Sequence, residues 1–138
     1  MTPQEYCAQK TAQSGSSFYY SFLFLEKNKR DAITALYAFC REVDDIVDGP
    51  SDEHVARSKL SWWGHEIDVM WSGSPQHPVT QELCRFIEPY KLEKKYFKLI
   101  IDGMLMDLEK KQYETMNELT KYCYRSASAV GILSANIF

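Results

Sequence analysis

A chain of 138 residues has the size of one domain, and its 45% hydrophobic and 14% aromatic residues exclude intrinsic disorder. The net charge is −3 and there is no basic stripe, so the composition gives no indication of a nucleic-acid partner. The longest apolar stretch, residues 18–25, is much shorter than the ~20 residues that a membrane-spanning helix needs.

The first two helices are predicted from the residues at their ends. TPQE at 2–5 is a capping box with proline at the first helical position, and it predicts a short helix to about residue 13. Asn28, with Asp31 three residues later, predicts the start of a second helix. Glycine and proline follow Asp48, so the second helix is expected to end there.

Four more helices are predicted in the rest of the chain. Ser51 is expected to cap the third helix, which carries three tryptophans. A loop rich in serine, glycine and proline at 72–78 precedes a short helix that reaches Ile87. The fifth helix is expected at about 91–111, and a second capping box at 115–118 opens the last one.

No strand pattern competes with these helices, so an all-α fold is predicted. The apolar stretch at 18–25 is interpreted as a buried helix or an extended loop, because a single strand without a partner is not stable. The chain stops inside an apolar run, at 130–138, without a glycine cap or a polar tail. We therefore expect an incomplete helical bundle whose apolar face pairs with further helices or with a second copy.

Cysteine and histidine spacing indicates neither a disulfide framework nor a metal site. The four cysteines are far apart and form no CxxC pair, which predicts reduced thiols in the cytoplasm: Cys7, Cys40, Cys84 and Cys123. The three histidines share no ligand spacing and are assigned no role: His54, His65 and His77.

Three aspartates lie close together near the end of the second predicted helix, in CREVDDIVDG at 40–49. On a helix, four side chains form one polar stripe at i, i+4, i+7 and i+11: Tyr37, Arg41, Asp44 and Asp48. An apolar stripe lies about 100° away on the helix: Leu36, Cys40, Val43 and Val47. A solvated face would lie opposite the apolar face, whereas this polar stripe borders it, which favours the rim of a cavity.

Two interpretations of the acidic cluster stay open. In the first, Asp44 and Asp48 bind Mg²⁺, a hard cation that takes oxygen ligands and is held by one or two carboxylates plus substrate phosphates. Arg41 would then bind a phosphate through its fork of donors or hold an aspartate in place. In the second, the cluster is a solvated helix end and Arg41 with Asp45 is an ordinary i,i+4 pair.

Several segments together resemble the squalene/phytoene synthase family. They occur in the family's order: SFYYSFLFL at 17–25, YAFCREVDDIVD at 37–48, DGMLMDLEKKQY at 102–113 and YCYRSASAVGILS at 122–134. The start of the chain is most similar to the bacterial presqualene diphosphate synthases of hopanoid pathways. The resemblance implies an isoprenoid-synthase-type helical bundle around a central cavity.

The resemblance also implies an activity. Two molecules of farnesyl diphosphate would be condensed head to head, with Mg²⁺, to presqualene diphosphate and pyrophosphate. Squalene, dehydrosqualene or phytoene as the product is an alternative within the same family. Peripheral contact with the inner membrane is a further expectation, because the substrates are lipids. An alternative outside the enzymes is a truncated, non-catalytic helical module.

Residues that match the family's motifs acquire expected roles. Asp44 and Asp48 would be the first metal-binding pair, supported by Asp45. Arg41 and Tyr122 would be catalytic, with the tyrosine beside the reacting carbons. The diphosphate and the prenyl chains would be bound by a further set: Ser17, Phe18, Tyr37, Arg41 and Ser126.

The match is incomplete in one respect. Members of the family have a second acidic motif and about twice this length, and residues 49–138 contain no other DxxxD. We therefore expect residues 1–138 to be the N-terminal half of a single helical domain, with little or no activity by itself.

Overall fold

The computed structural model describes residues 1–13, 24–48, 52–108 and 129–137, without the side chains of Asp48 and Asp107. Six helices lie in these ranges: α1 (Pro3–Gln13), α2 (Lys27–Asp48), α3 (Glu53–Ser72), α4 (Pro78–Cys84), α5 (Lys94–Leu108) and α6 at 129–137. The described ranges contain no strand, so the predicted all-α class is confirmed. None of the helices described combines the length and the hydropathy that crossing a bilayer requires.

The helix starts follow from local hydrogen bonding. At α1, the Thr2 hydroxyl accepts a hydrogen bond from the backbone N–H of Glu5 at 3.1 Å, as the capping box predicts. At α3 the prediction of Ser51 as the cap was wrong, because the carboxylate of Asp52 accepts from the N–H of Val55 at 2.9 Å. Asp52 directly precedes the first helical residue, and only that position places a side-chain oxygen on the N–H three residues further on.

The predicted end of α4 was too late and the predicted start of α5 was too early. The short helix ends at Cys84 rather than Ile87, and turns with i→i+3 hydrogen bonds continue the chain to residue 91. Lys91 has a φ of 52°, in the left-handed region, so the next helix cannot include it and begins at Lys94. The predicted start at about residue 91 is therefore three residues early.

Helix α2 is the centre of the core. Its Phe39 ring lies 5.3 Å from the ring centre of Phe97 on α5 and 5.7 Å from that of Trp63 on α3, both nearly perpendicular. Trp71 on α3 joins the cluster, with its ring centre 5.7 Å from that of Phe97. Three alanines of α2 are fully buried, and their small side chains let neighbouring helices approach it closely: Ala32, Ala35 and Ala38. The aromatic cluster thus fixes α2 against α3 and α5, which also contact each other.

A buried carboxylate joins α3 to the start of α4. One oxygen of Glu66 accepts hydrogen bonds from the backbone N–H groups of Gln76 at 2.7 Å and His77 at 2.9 Å. The same oxygen accepts from the Thr80 hydroxyl at 2.5 Å. Burial of a carboxylate is costly without such donors, and three donors offset that cost here. The loop between the helices is consequently held against α3.

Helix α6 packs on the rest of the bundle with the spacing that its sequence predicts. Ala129, Leu133 and Ile137 are buried, four residues apart. Asn136 donates from its amide to the backbone carbonyl of Lys91 at 3.4 Å, next to the left-handed turn. The predicted capping box at 115–118 lies outside the described residues.

Candidate active site

The last two turns of α2 carry the predicted acidic face. Phe39 and Val43 point into the core and are fully buried. Arg41, Asp44 and Asp45 lie beside them with side chains 33%, 42% and 43% exposed. The polar face therefore borders the core and is half-exposed, which is the arrangement that the neighbouring stripes predict.

Arg41 lies between the first two aspartates. Its Nη2 is 3.1 Å from Oδ1 of Asp45, and its Nη1 is 3.8 Å from Oδ2 of Asp44. The other oxygen of Asp45 accepts from Nζ of Lys10 on α1 at 2.6 Å. A continuous chain of charges thus runs from α1 through Asp45 and Arg41 to Asp44.

A second contact fixes α1 against the same turns of α2. The Tyr6 hydroxyl donates to Oε1 of Glu42, and Nζ of Lys10 lies 3.9 Å from that oxygen. Burial, followed by the hydrogen bond to Glu42, raises the pKa of Tyr6 well above its usual value, so the hydroxyl keeps its proton. One turn further along α1, the Thr11 hydroxyl donates to the carbonyl of Thr34 at 3.1 Å.

These α1 residues were missed by the sequence reasoning. Lys10 is 35 residues from Asp45, and Tyr6 is 36 residues from Glu42. Periodicity within one helix carries no information about such a pair. The available signal was the placement of Tyr6 and Lys10 four apart on α1, in the stripe next to buried Cys7 and Thr11.

The three aspartates do not point in one direction. Successive helical residues are rotated by about 100°, so Asp45 faces α1 whereas Asp44 turns away from it. The helix continues regularly to Asp48, one turn beyond Asp44, which places these two positions on the same face. The side chain of Asp48 lies outside the described residues.

The donor set has the chemistry of a magnesium site. Only carboxylate oxygens are offered, without histidine or cysteine, and Asp44 is half-exposed, so a cation could keep several waters. Within the described side chains no group of three or more metal-ligating residues occurs. A hard divalent cation held by one or two carboxylates plus substrate phosphates needs no third protein ligand, so the half-exposed Asp44 carboxylate fits such a cation.

Of the other five expected site residues, the structure describes one. Tyr37 lies on α2 one turn before Arg41 and is half-buried, in line with the polar stripe. The remaining four lie outside the described residues, and their roles remain predictions: Ser17, Phe18, Tyr122 and Ser126.

Two of the described cysteines, Cys7 and Cys40, are poor nucleophiles. Cys7, Cys40 and Cys84 are free thiols. Burial raises the pKa of Cys7 to about 12, with Glu82 as the next cause. Burial also raises the pKa of Cys40 to about 12, and the nearby Asp44 carboxylate acts in the same direction. Because a thiolate is the reactive form, neither of these two thiols is expected to take part in chemistry near neutral pH.

A groove of about 300 Å³ lies on the flank of α2 that faces away from Asp44. It is lined by residues of α2, of α3 and of the loop before α4: Glu42, Asp45, Ile46, Lys59, Trp62, Trp63 and His77. His77, which the sequence reasoning left without a role, packs against Trp63 with ring centres 4.7 Å apart and against Tyr6 at 5.4 Å. Its Nδ1 accepts from the N–H of Val79 at 3.0 Å and caps α4.

The cap made by His77 predicts a loss of stability in mild acid. Burial is the main cause that lowers the pKa of His77 below 6.5, although Glu42 and Glu66 act in the opposite direction. Because the unfolded chain then binds the proton first, the contribution of the neutral ring is complete above pH 6.5 and is lost as the pH falls through the folded pKa. Urea unfolding of the wild type between about pH 7.5 and about pH 5 should show this decline.

The matched variants are His77→Asn, which can still cap α4 but does not titrate in this range, and His65→Asn, at an exposed position. The decline should be smaller in His77→Asn and unchanged in His65→Asn. An equal decline in all three proteins would show that another group is responsible.

Comparison with known proteins identifies the family. A family model described as squalene/phytoene synthase matches residues 11–138. The chain belongs to the squalene/phytoene synthase family. A 15-cis-phytoene synthase from Synechocystis is 36% identical over 133 residues, which is 96% of this chain and 40% of that protein. The chloroplastic phytoene synthase of Daucus carota is 34% identical, over 95% of this chain and 33% of that protein.

Solved structures of the family share the fold. Squalene synthase HpnC from Alicyclobacillus acidocaldarius is 27% identical with a TM-score of 0.82, over 99% of this chain and 51% of that structure. A dehydrosqualene synthase in complex with a ligand is 28% identical with a TM-score of 0.84, over 98% of this chain and 47% of that structure. The chain thus spans about half or less of these members of the squalene/phytoene synthase family, and it has their isoprenoid-synthase-type helical fold.

Proposed function

We propose that the protein containing this chain joins two prenyl diphosphates head to head, and that farnesyl diphosphate is the substrate and presqualene diphosphate the product. In this reaction the carbon–oxygen bond to one diphosphate breaks, and the freed carbon forms two carbon–carbon bonds across a double bond of the second substrate, which closes a cyclopropane ring. Pyrophosphate and a proton leave. The observation that supports it is the half-exposed face of Arg41 and Asp44, which borders the core of a helical fold shared with squalene and dehydrosqualene synthases.

In this proposal the residues of α2 bind the leaving group. Asp44 and Asp48 hold Mg²⁺, supported by Asp45, and the cation when bound supplies neutralisation of the departing diphosphate. Arg41 donates hydrogen bonds to diphosphate oxygens, because a guanidinium fork matches phosphate geometry. Tyr37, on the same stripe, contributes to substrate binding.

Residues that the structure does not describe complete the proposed site. Ser17 and Ser126 are assigned to substrate binding, and Phe18 to the wall that contacts the prenyl chain. Tyr122 is placed beside the reacting carbons, where an aromatic ring stabilises positive charge and an apolar wall excludes water. In this proposal residues 1–138 form one half of a single helical domain, and the protein is cytoplasmic with peripheral membrane contact.

The product is the finer part of the proposal. The most similar curated relatives include phytoene synthases, and the structural relatives are squalene and dehydrosqualene synthases, so these products remain the alternative. Incubation of the intact protein with C15 or C20 prenyl diphosphate and Mg²⁺, with and without NADPH, separates them by product mass. We expect a C30 diphosphate from the C15 substrate, without any need for NADPH.

A C40 hydrocarbon from the C20 substrate would instead identify a phytoene synthase. If the chain is instead a non-catalytic helical module, we expect no turnover and no Mg²⁺-dependent binding of pyrophosphate by calorimetry. We would then expect self-association through the apolar face of the incomplete bundle. Absence of both turnover and binding in the intact protein would overturn the proposed function.

A further inference from the structure

The contact between Lys10 and Asp45 restricts how Arg41 can pair. An arginine beside a carboxylate commonly forms a bidentate pair, in which two N–H groups meet both carboxylate oxygens. Here Oδ2 of Asp45 is taken by Lys10 at 2.6 Å, and only Oδ1 meets Arg41, at 3.1 Å. The other terminal nitrogen of Arg41, Nη1, lies 3.8 Å from Oδ2 of Asp44.

Lys10 is itself held in place by several contacts. Its ammonium is also 3.9 Å from Glu42, whose carboxylate accepts from Tyr6. The neighbouring residue Thr11 is buried and donates to the carbonyl of Thr34 on α2. The backbone that carries Lys10 is therefore fixed against α2. The side chain of Lys10 is also less exposed than those of Arg41 and Asp45.

We propose that Lys10 is a positioning residue: by drawing Oδ2 of Asp45 towards α1 and offsetting part of the carboxylate's charge, it disfavours a bidentate Arg41–Asp45 pair and keeps the guanidinium directed at the diphosphate site beside Asp44. This inference rests on the proposed function. Lys10 does not touch the substrate; it acts through Asp45 on Arg41. Without Lys10, Arg41 turns onto both oxygens of Asp45 and loses reach towards the substrate.

The test uses Lys10→Met in the intact protein. We expect the KM for the prenyl diphosphate to rise about two- to fivefold, the scale of a partly exposed ion pair, with kcat within about twofold of the wild type. Lys10→Arg, which keeps a cation on Asp45, should restore the KM. Lys95→Met, at an exposed lysine on α5, is the matched control and should leave both constants unchanged.

Asp45→Asn separates positioning from a purely structural role. An amide at this position does not attract Arg41 as a carboxylate does, so adding Lys10→Met to Asp45→Asn should change the KM by less than about twofold. A lower melting temperature and a lower kcat in both backgrounds, with the KM unchanged, would overturn the inference.

The proposed function fails in a different way. If the wild-type protein does not turn over any prenyl diphosphate, both proposals are overturned. If the wild type is active and Lys10→Met has the wild-type KM, only the role of Lys10 is overturned.

Discussion

Replacing Asp44 by alanine in the intact protein is expected to lower kcat/KM for the prenyl diphosphate by ~10²–10³-fold, because a charge that stabilises the departing diphosphate through Mg²⁺ is removed. The fold should survive, since the side chain is half-exposed and its loss relieves repulsion of ~0.2–0.5 kcal/mol from the neighbouring carboxylate at i+4. Steady-state kinetics with Mg²⁺ titration, together with circular dichroism, measure the two effects separately.

The matched control for this change is Asp102→Ala, because Asp102 is an exposed aspartate on α5. Its kinetics should equal those of the wild type. Two results would count against the site: activity retained in Asp44→Ala, or activity lost only together with global unfolding. The first would favour the interpretation of the cluster as a solvated helix end.

The largest expected effect on stability belongs to the aromatic cluster of the core. Phe39→Ala should lower the free energy of unfolding by about 3–5 kcal/mol, because the removed ring leaves a cavity that three helices cannot close. The ring is fully buried and contacts Trp63 and Phe97 on two different helices. Urea unfolding of the 138-residue chain, followed by circular dichroism, gives the difference in free energy.

Phe24→Ala provides the comparison, since Phe24 is 91% exposed in the turn before α2. This change should alter the free energy of unfolding by less than about 0.5 kcal/mol. Similar losses for Phe39 and Phe24 would mean that the packing of α2 against α3 and α5 is wrong.

Prediction from the sequence was accurate where the cause is local. The capping box at Thr2 and the neighbouring stripes on α2 depend on contacts between residues three to seven apart. The helix ends around residues 84–94 were less accurate. There, turns with i→i+3 hydrogen bonds and a left-handed Lys91 compete with the helix, and the sequence carries only a weak signal for them.

The sequence by itself determined the helical class, the acidic face of α2 and the family to which the chain belongs. Only the tertiary structure decided what surrounds that face: Lys10 on Asp45, Tyr6 on Glu42, and His77 between the helices. The physical reason is range. Helical periodicity and capping act within a few residues, whereas an ion pair between residues 35 apart exists only after α1 has packed on α2.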